Sequence, residues 1–406
     1  MSKKIKKVTK CLLCKNNKLK PSFEAGNLYV SNFVEKKNIF KGIKSPLNLL
    51  YCNKCTLLQL SHLAPQEIMY RRFYWYKSGV TKTMRDGLKE LSRDCIKKAK
   101  LKKNDVVLDI GANDGTLLKY FKEKKLKTVA CEPAKNLTKE LKKNCKYLIN
   151  NFWSKKELFK ILNKNKIDKP KLITAIGMFY DLEDPNKFIK DAADCLHNKG
   201  VFVAQLMVLK SMIEKNDLGN ICHEHIQFYS FESLKYLFEN NGLEIFKISK
   251  NEINGGSYRF FCRKYNKGSI KLPKENVLQM IKAFVLRVKK NKAITMKFIS
   301  KQIKKRKKIF LYGASTKGNT ILQYYGLDKK FIPFAAERSP FKWGKYTIGT
   351  GIKIISEKEA KKYKPDFFFV TPWGFIKEFI KREKKWLNGG GKFILPFPKM
   401  KIIGKK

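Results

Sequence analysis

Histidine is scarce in this chain, 4 residues among 406, and acidic side chains are few, 34 against 89 lysines and arginines. No apolar run reaches the ~18 to 20 residues that a membrane span requires. The lysine-rich start, Ser2 to Lys10, passes into Cys11 without the apolar stretch of a signal peptide. A cytoplasmic protein with no membrane partner is therefore expected. There is no Gly-x-x-x-x-Gly-Lys-Ser/Thr, which excludes a P-loop, and no His-Glu-x-x-His, which excludes the helical zinc-protease site. Arginine is sparse, and the charge of +55 comes from lysine spread along the whole chain. A phosphate reader concentrates arginine for bidentate contacts, so this composition argues for a solvated lysine surface and against a nucleic-acid partner. The field still attracts anionic substrates.

The length exceeds one ordinary core and implies two or three domains. Ten cysteines in a reducing compartment are not expected to form disulfides. Four of them form two knuckles, Cys11-x-x-Cys14 and Cys52-x-x-Cys55. Each knuckle points two thiolates at one point, and together they complete a tetrahedral shell for zinc. With sulfur in all four positions no place is left for a reacting water, so the ion is structural.

Beyond the aromatic segment at 71–84, Val106-Val-Leu-Asp109-Ile-Gly111-Ala-Asn113-Asp114-Gly115 reads as a buried strand turning through glycines into a helix. Glycine there lets the backbone approach a nucleotide-type ligand. The next strand ends at Glu132, about twenty residues on, where an acid can accept hydrogen bonds from ribose hydroxyls. Strand and helix patterns then alternate, as expected for a doubly wound sheet with its site at the strand ends.

Two of the 4 histidines fall in one stretch, Leu218-Gly-Asn-Ile-Cys222-His223-Glu224-His225. Histidine takes and gives a proton near neutrality, and an adjacent carboxylate can orient it. A glycine turn follows at Asn254-Gly255-Gly256-Ser257-Tyr-Arg259, carrying amide, hydroxyl and guanidinium groups. A lysine-rich helix over 276–308 leads to a second strand-glycine-helix unit, Gly313-Ala-Ser315-Thr-Lys317-Gly-Asn319, whose backbone donors, Ser315 and Lys317 could hold an anion.

In this order the parts resemble the sugar C-methyltransferases, and the similarity covers nearly the whole chain. It rests on the four-cysteine domain, the Tyr74-Trp-Tyr76-Lys-Ser78 segment, the Asp109 to Gly115 loop, His-Glu-His, the Gly-Gly-Ser turn and the Gly-Ala-Ser-Thr-Lys-Gly-Asn loop. The resemblance implies an α/β fold in three parts: a small N-terminal zinc domain (1–70), a class I, Rossmann-like S-adenosylmethionine-dependent methyltransferase domain (71–270) and a smaller Rossmann-like domain (271–406) that helps hold a nucleotide-linked sugar. It implies that Asp109, Gly111, Asn113, Asp114 and Gly115 line the cofactor site and that Glu132 holds the ribose. His225 is then the base that removes a proton next to the substrate ketone, with Glu224 beside it and His223 or Tyr76 supplying a donor to the enolate. Tyr74, Ser78, Cys222, Asn254, Gly255, Gly256, Ser257, Arg259, Ser315, Lys317 and Asn319 are expected at the substrate. The family commonly has tyrosine where this chain has Cys222, and many members have histidine where it has Asp181; both bear on which sugar is used. A monomer or weak homo-oligomer is expected. Two other readings are an RNA methyltransferase using the basic surface and a non-catalytic, zinc-organised binding module.

Overall fold

The computed structural model describes residues 4–71, 73–253 and 256–405. Its centre is a seven-stranded sheet in the order Tyr147–Ile149, Lys127–Cys131, Val106–Ile110, Leu172–Ile176, Val201–Leu206, Ser257–Lys264, Leu243–Asn251. The first five strands are parallel, and the last two add an antiparallel hairpin at one edge. Val106–Ile110 and Val201–Leu206 are buried at every residue, as strands covered by helices on both faces must be. The parallel strands all end on one side, and there the loops after Ile110, Cys131, Ile176 and Leu206 meet.

A second sheet, in the C-terminal part, has eight strands in the order Lys401–Ile403, Lys392–Leu395, Phe367–Val370, Ile309–Tyr312, Phe334–Glu337, Lys353–Ser356, Tyr346–Thr347, Phe33–Val34. Its last strand comes from the N-terminal segment. The N-terminal part has its own four-stranded antiparallel sheet, Gln227–Phe228, Leu58–Leu60, Lys44–Cys52, Leu19–Tyr29. Here the first strand comes from the central part, directly after His225. Each sheet therefore borrows or lends a strand, and the His-Glu-His stretch is fastened to the cysteine-bearing sheet at its C-terminal end.

The lysine-rich connector is the helix Val277–Lys304, begun by Asn276, whose Oδ1 accepts from the Gln279 amide. Its solvent face carries the lysines, and Ile281, Phe284, Val288 and Ile299 pack into the core. Among the described residues no helix is long and apolar enough to cross a membrane.

Ser230 closes the stretch and starts the helix Phe231–Glu239. Its Oγ accepts from the Ser233 amide at 3.0 Å and pairs with Thr56 Oγ1, beside the second cysteine knuckle, at 2.5 Å. Losing an N-cap costs roughly 1 to 2 kcal/mol. Urea denaturation of Ser230→Ala is expected to show an unfolding free energy lowered by that much, seen as an earlier midpoint at unchanged slope; an unmoved midpoint contradicts the role.

Candidate active site

Gly111 leaves the first parallel strand at φ +75, and a Cβ there would meet Met178 Cγ at 2.7 Å. The turn that follows is pinned by Glu132 from the next strand. One carboxylate oxygen of Glu132 accepts from the Asn113 amide at 2.8 Å and the other from the Ala134 amide at 2.8 Å. Burial raises this carboxyl above its ordinary range and the two amides pull it back. Each oxygen keeps a further lone pair for a ligand hydroxyl. Asp109, behind the loop, accepts from Thr174 Oγ1 at 2.6 Å and is pushed up to about 7 by burial.

The segment 74–78 lies over this loop as a strap. Asn113 Oδ1 accepts from the Ser78 amide at 2.9 Å and its Nδ2 donates to the Tyr76 carbonyl at 3.1 Å. Asn136 holds both the amide and the carbonyl of Tyr74, at 2.9 and 3.0 Å. Two cavities meet beneath the strap. One, of about 290 Å³, is lined by Glu132, Pro133, Phe152 and Trp153; the other, of about 610 Å³, by Asp109, Gln205, Glu224, His225, Ser257 and Lys317. Tyr74, Tyr76, Ser78, Gly111, Asn113 and Asp181 border both.

In the larger cavity His225 is buried and its Nδ1 lies 2.9 Å from the Asn220 carbonyl. A carbonyl only accepts, so Nδ1 carries the proton and the lone pair is on Nε2. Burial, then the Lys317 charge, holds this imidazole well below its usual range, so it is neutral at pH 7. The Tyr180 ring packs against it with centroids 4.1 Å apart. Glu224 is raised by burial and steadied by the Thr316 hydroxyl, the Cys222 thiol and the Lys317 charge. Thr316 and Lys317 begin the helix Thr316–Tyr325 of the C-terminal part, so that helix points its N-terminus at the proton-handling stretch.

A family described as "C-methyltransferase C-terminal domain" matches residues 252–398, and one described as "Methyltransferase domain" matches 76–248. The C-methyltransferase NovU of Streptomyces niveus is 24% identical over 370 residues, covering 88% of this chain and 87% of that protein. Between them the two family models span most of the chain, in the order of a C-methyltransferase. The chain is an S-adenosylmethionine-dependent enzyme, which sets the non-catalytic reading aside. Solved structures similar to this C-methyltransferase include the mycolic acid cyclopropane synthase CmaA1 complexed with SAH and CTAB (13% identity, 50% of this chain and 92% of that one, TM-score 0.36). Another is magnesium protoporphyrin IX methyltransferase ChlM from Synechocystis PCC 6803 with SAH (9% identity, 47% and 90%, TM-score 0.35).

The C-methyltransferase places several expected residues elsewhere. Asp114 and Gly115 line neither cavity. Asp114 accepts from the Gly79 amide at 2.7 Å, anchoring the strap, and Gly115 packs against Leu141 and Asn144. Cys222 is fully buried and lines neither cavity; its thiol is hydrogen-bonded to the Glu224 carboxyl. His223 points the opposite way from His225, to the Ser45 carbonyl at 2.9 Å. Arg259 is buried across the sheet, bound to Gln205, Glu90 and Asp94 at 2.8 to 2.9 Å. Asn319 is tied to the Ile348 carbonyl and Thr350. Gly256 lines neither cavity, and Asn254 and Gly255 lie outside the described residues. Ser257, Ser315 and Lys317 do line the larger one.

Asn220, Tyr180, Thr316 and Glu337 are at the site and were not anticipated. Glu337 repeats the device of Glu132 in the second sheet: its two oxygens accept from the Ala314 and Ser339 amides, both at 2.9 Å. An acid at the end of the strand after Gly313 was the signal that could have found it. The Sγ atoms of Cys11, Cys14, Cys52 and Cys55 lie within 4.8 Å of one another, an all-sulfur set compatible with structural zinc.

Burial pushes His223 down to about 4. Unfolded histidine protonates near 6.5, so between those values the unfolded chain binds the extra proton and stability falls as pH drops, by up to ~1.4 kcal/mol per pH unit. Denaturation midpoints should decline from pH 6.5 to 4, and less steeply in His223→Gln, which keeps a donor for Ser45. Identical slopes in the two proteins count against this assignment.

Proposed function

We propose that the enzyme methylates a carbon next to the ketone of a nucleotide-linked keto-deoxysugar. The observation that carries this reading is His225, a buried neutral imidazole whose Nδ1 proton is committed to Asn220 and whose Nε2 faces a cavity of about 610 Å³. The smaller cavity suits S-adenosylmethionine: Gly111 borders it at a positive φ that glycine adopts freely, Glu132 offers lone pairs to the ribose, and Trp153 and Phe152 offer aromatic walls to the adenine. When bound, the cofactor supplies an electrophilic methyl carbon and departs as the thioether. Tyr74, Tyr76, Ser78 and Asp181 are among the residues bordering both cavities, where cofactor and sugar would meet.

A carbon next to a ketone is a far weaker acid than imidazolium. Deprotonation is productive only where water is excluded and the enolate oxygen receives a donor, a contribution of ~3 to 4 kcal/mol per well-placed group. Nε2 takes the proton, and the C–H electron pair moves through the carbonyl to oxygen. Glu224 adjoins the base and bears on the fate of that proton. Ser257, Tyr74 and Tyr76 orient the sugar. The nucleotide lies toward the C-terminal part, where Ser315, Lys342 and Glu337 line the same cavity.

Exchange of the sugar proton in deuterated water without methyl transfer tests this directly, with S-adenosylhomocysteine present and a panel of nucleotide-linked 4-keto sugars. His225→Ala should lower exchange and methylation together by roughly 10²- to 10⁴-fold while still binding S-adenosylhomocysteine in calorimetry. Exchange that persists in the variant removes His225 as the base. Because the folded pKa of His225 lies below the usual value, the rate in native enzyme should stay level from neutrality down to pH 6.5 and fall only at lower pH. A fall centred above pH 6.5 contradicts the neutral base.

A further inference from the structure

Asn220 does two things at once. Its backbone carbonyl accepts from His225 Nδ1 at 2.9 Å, and its side-chain Oδ1 accepts from Lys317 Nζ at 3.2 Å. One residue thus fixes a base from the central sheet and a cation from the C-terminal sheet side by side in one cavity. Lys317 is the second residue of the helix Thr316–Tyr325, and that helix is packed on the turn Leu218–Asn220: a Cβ on Gly219 would meet Ile321 Cδ1 at 3.0 Å.

The other lysines of the larger cavity are committed or peripheral. Lys342 is bound to the Ala314 carbonyl at 2.7 Å and to Glu337 at 3.3 Å, Lys77 is paired with Glu140 at 3.0 Å, and Lys41 is exposed. Lys317 lies against the proton-handling groups themselves, where its charge acts on His225, Glu224, Asp181 and Asp217. An ammonium has three donors, and the contact with Asn220 uses one. Asp181 also lines this cavity, and burial raises its carboxyl well above the usual range; Cys222 lines neither cavity.

We infer that Lys317 is a catalytic residue: its ammonium, delivered by the C-terminal part and held by Asn220, receives the enolate oxygen formed when His225 takes the substrate proton. The C–H bond breaks, the proton goes to Nε2, the electron pair comes to rest on the carbonyl oxygen, and the ammonium neutralises that oxygen without giving up its own proton. The same charge keeps His225 from protonating early. The C-terminal part therefore completes the reaction centre in addition to holding the nucleotide. This inference rests on the keto-sugar reading, and one arm of its test does not.

The substrate-independent arm is the NMR titration of the His225 ring in native enzyme and in Lys317→Met. Tyr180 is in ring contact with His225, Asp181, Asp217, Glu224, Tyr74 and Tyr76 line the same cavity, and Lys317 is the cation whose charge acts on it. Removing the one cation among these should move the His225 titration upward, toward 6.5; an unmoved titration overturns the inference. In the second arm Lys317→Met should lower deuterium exchange at the sugar carbon by about 10²- to 10³-fold. The acid limb should rise in pH, and affinity for S-adenosylhomocysteine should be unchanged, which also shows that the variant is folded. Lys317→Arg should recover part of the rate. A raised KM with exchange intact would make Lys317 a phosphate clamp and overturn the catalytic role. If native enzyme exchanges none of the keto sugars, the substrate reading fails, and the ring titration still decides the place of Lys317.

Discussion

In the proposed mechanism the hydrogen bond from His225 Nδ1 to the Asn220 carbonyl is the contact on which the chemistry depends. It chooses the tautomer, and the tautomer decides which nitrogen can act as a base. A buried imidazole without that acceptor could place its proton on either nitrogen, and half of those states would present an N–H to the substrate. Burial removes the other hazard, protonation, because a charge there has little water to stabilise it. The arrangement has a structural cost. His223, Glu224, Asp181 and Asp217 are titratable groups in the same interior, and each must be held away from its ordinary protonation behaviour.

That cost is supported by interlocked sheets. The stretch carrying Asn220 and His225 continues into Gln227–Phe228, a strand of the N-terminal sheet, while the helix Thr316–Tyr325 presses on its other end. Cys52 ends the inner strand Lys44–Cys52 and Cys55 lies in the turn before Leu58–Leu60, where zinc would fix the two knuckles and, through Thr56 and Ser230, the end of the stretch. The site is thus a seam among three sheets. A cavity of about 610 Å³ is large for a sugar alone and gives room for a nucleotide extending toward Glu337 and Lys342.

Features with local causes were legible in the amino-acid order. Two cysteine knuckles, a glycine turn between a buried strand and a helix, an acid at the next strand end, and adjacent histidines each state their chemistry within a few residues. Features set by tertiary direction were not. Cys222, His223, Glu224 and His225 are neighbours in the chain, yet only Glu224 and His225 line the cavity, while His223 is bound to the Ser45 carbonyl. Arg259 looks like a substrate ligand from its company of glycine and serine, but its guanidinium is already taken by Gln205, Glu90 and Asp94. Asn113 and Asp114 belong to the expected loop, and their side chains serve the strap over it. Asn220 has no motif at all; its importance comes from two contacts made by sheets far apart in sequence.

The most direct test of the account is the position of the transferred methyl. With a ¹³C-labelled methyl on the cofactor and a nucleotide-linked 4-keto sugar, the product should show the labelled carbon bonded to a ring carbon next to the ketone, at a position whose proton exchanges with solvent before transfer. Label on oxygen or nitrogen, or on a carbon that never exchanges, would contradict a mechanism that begins with His225.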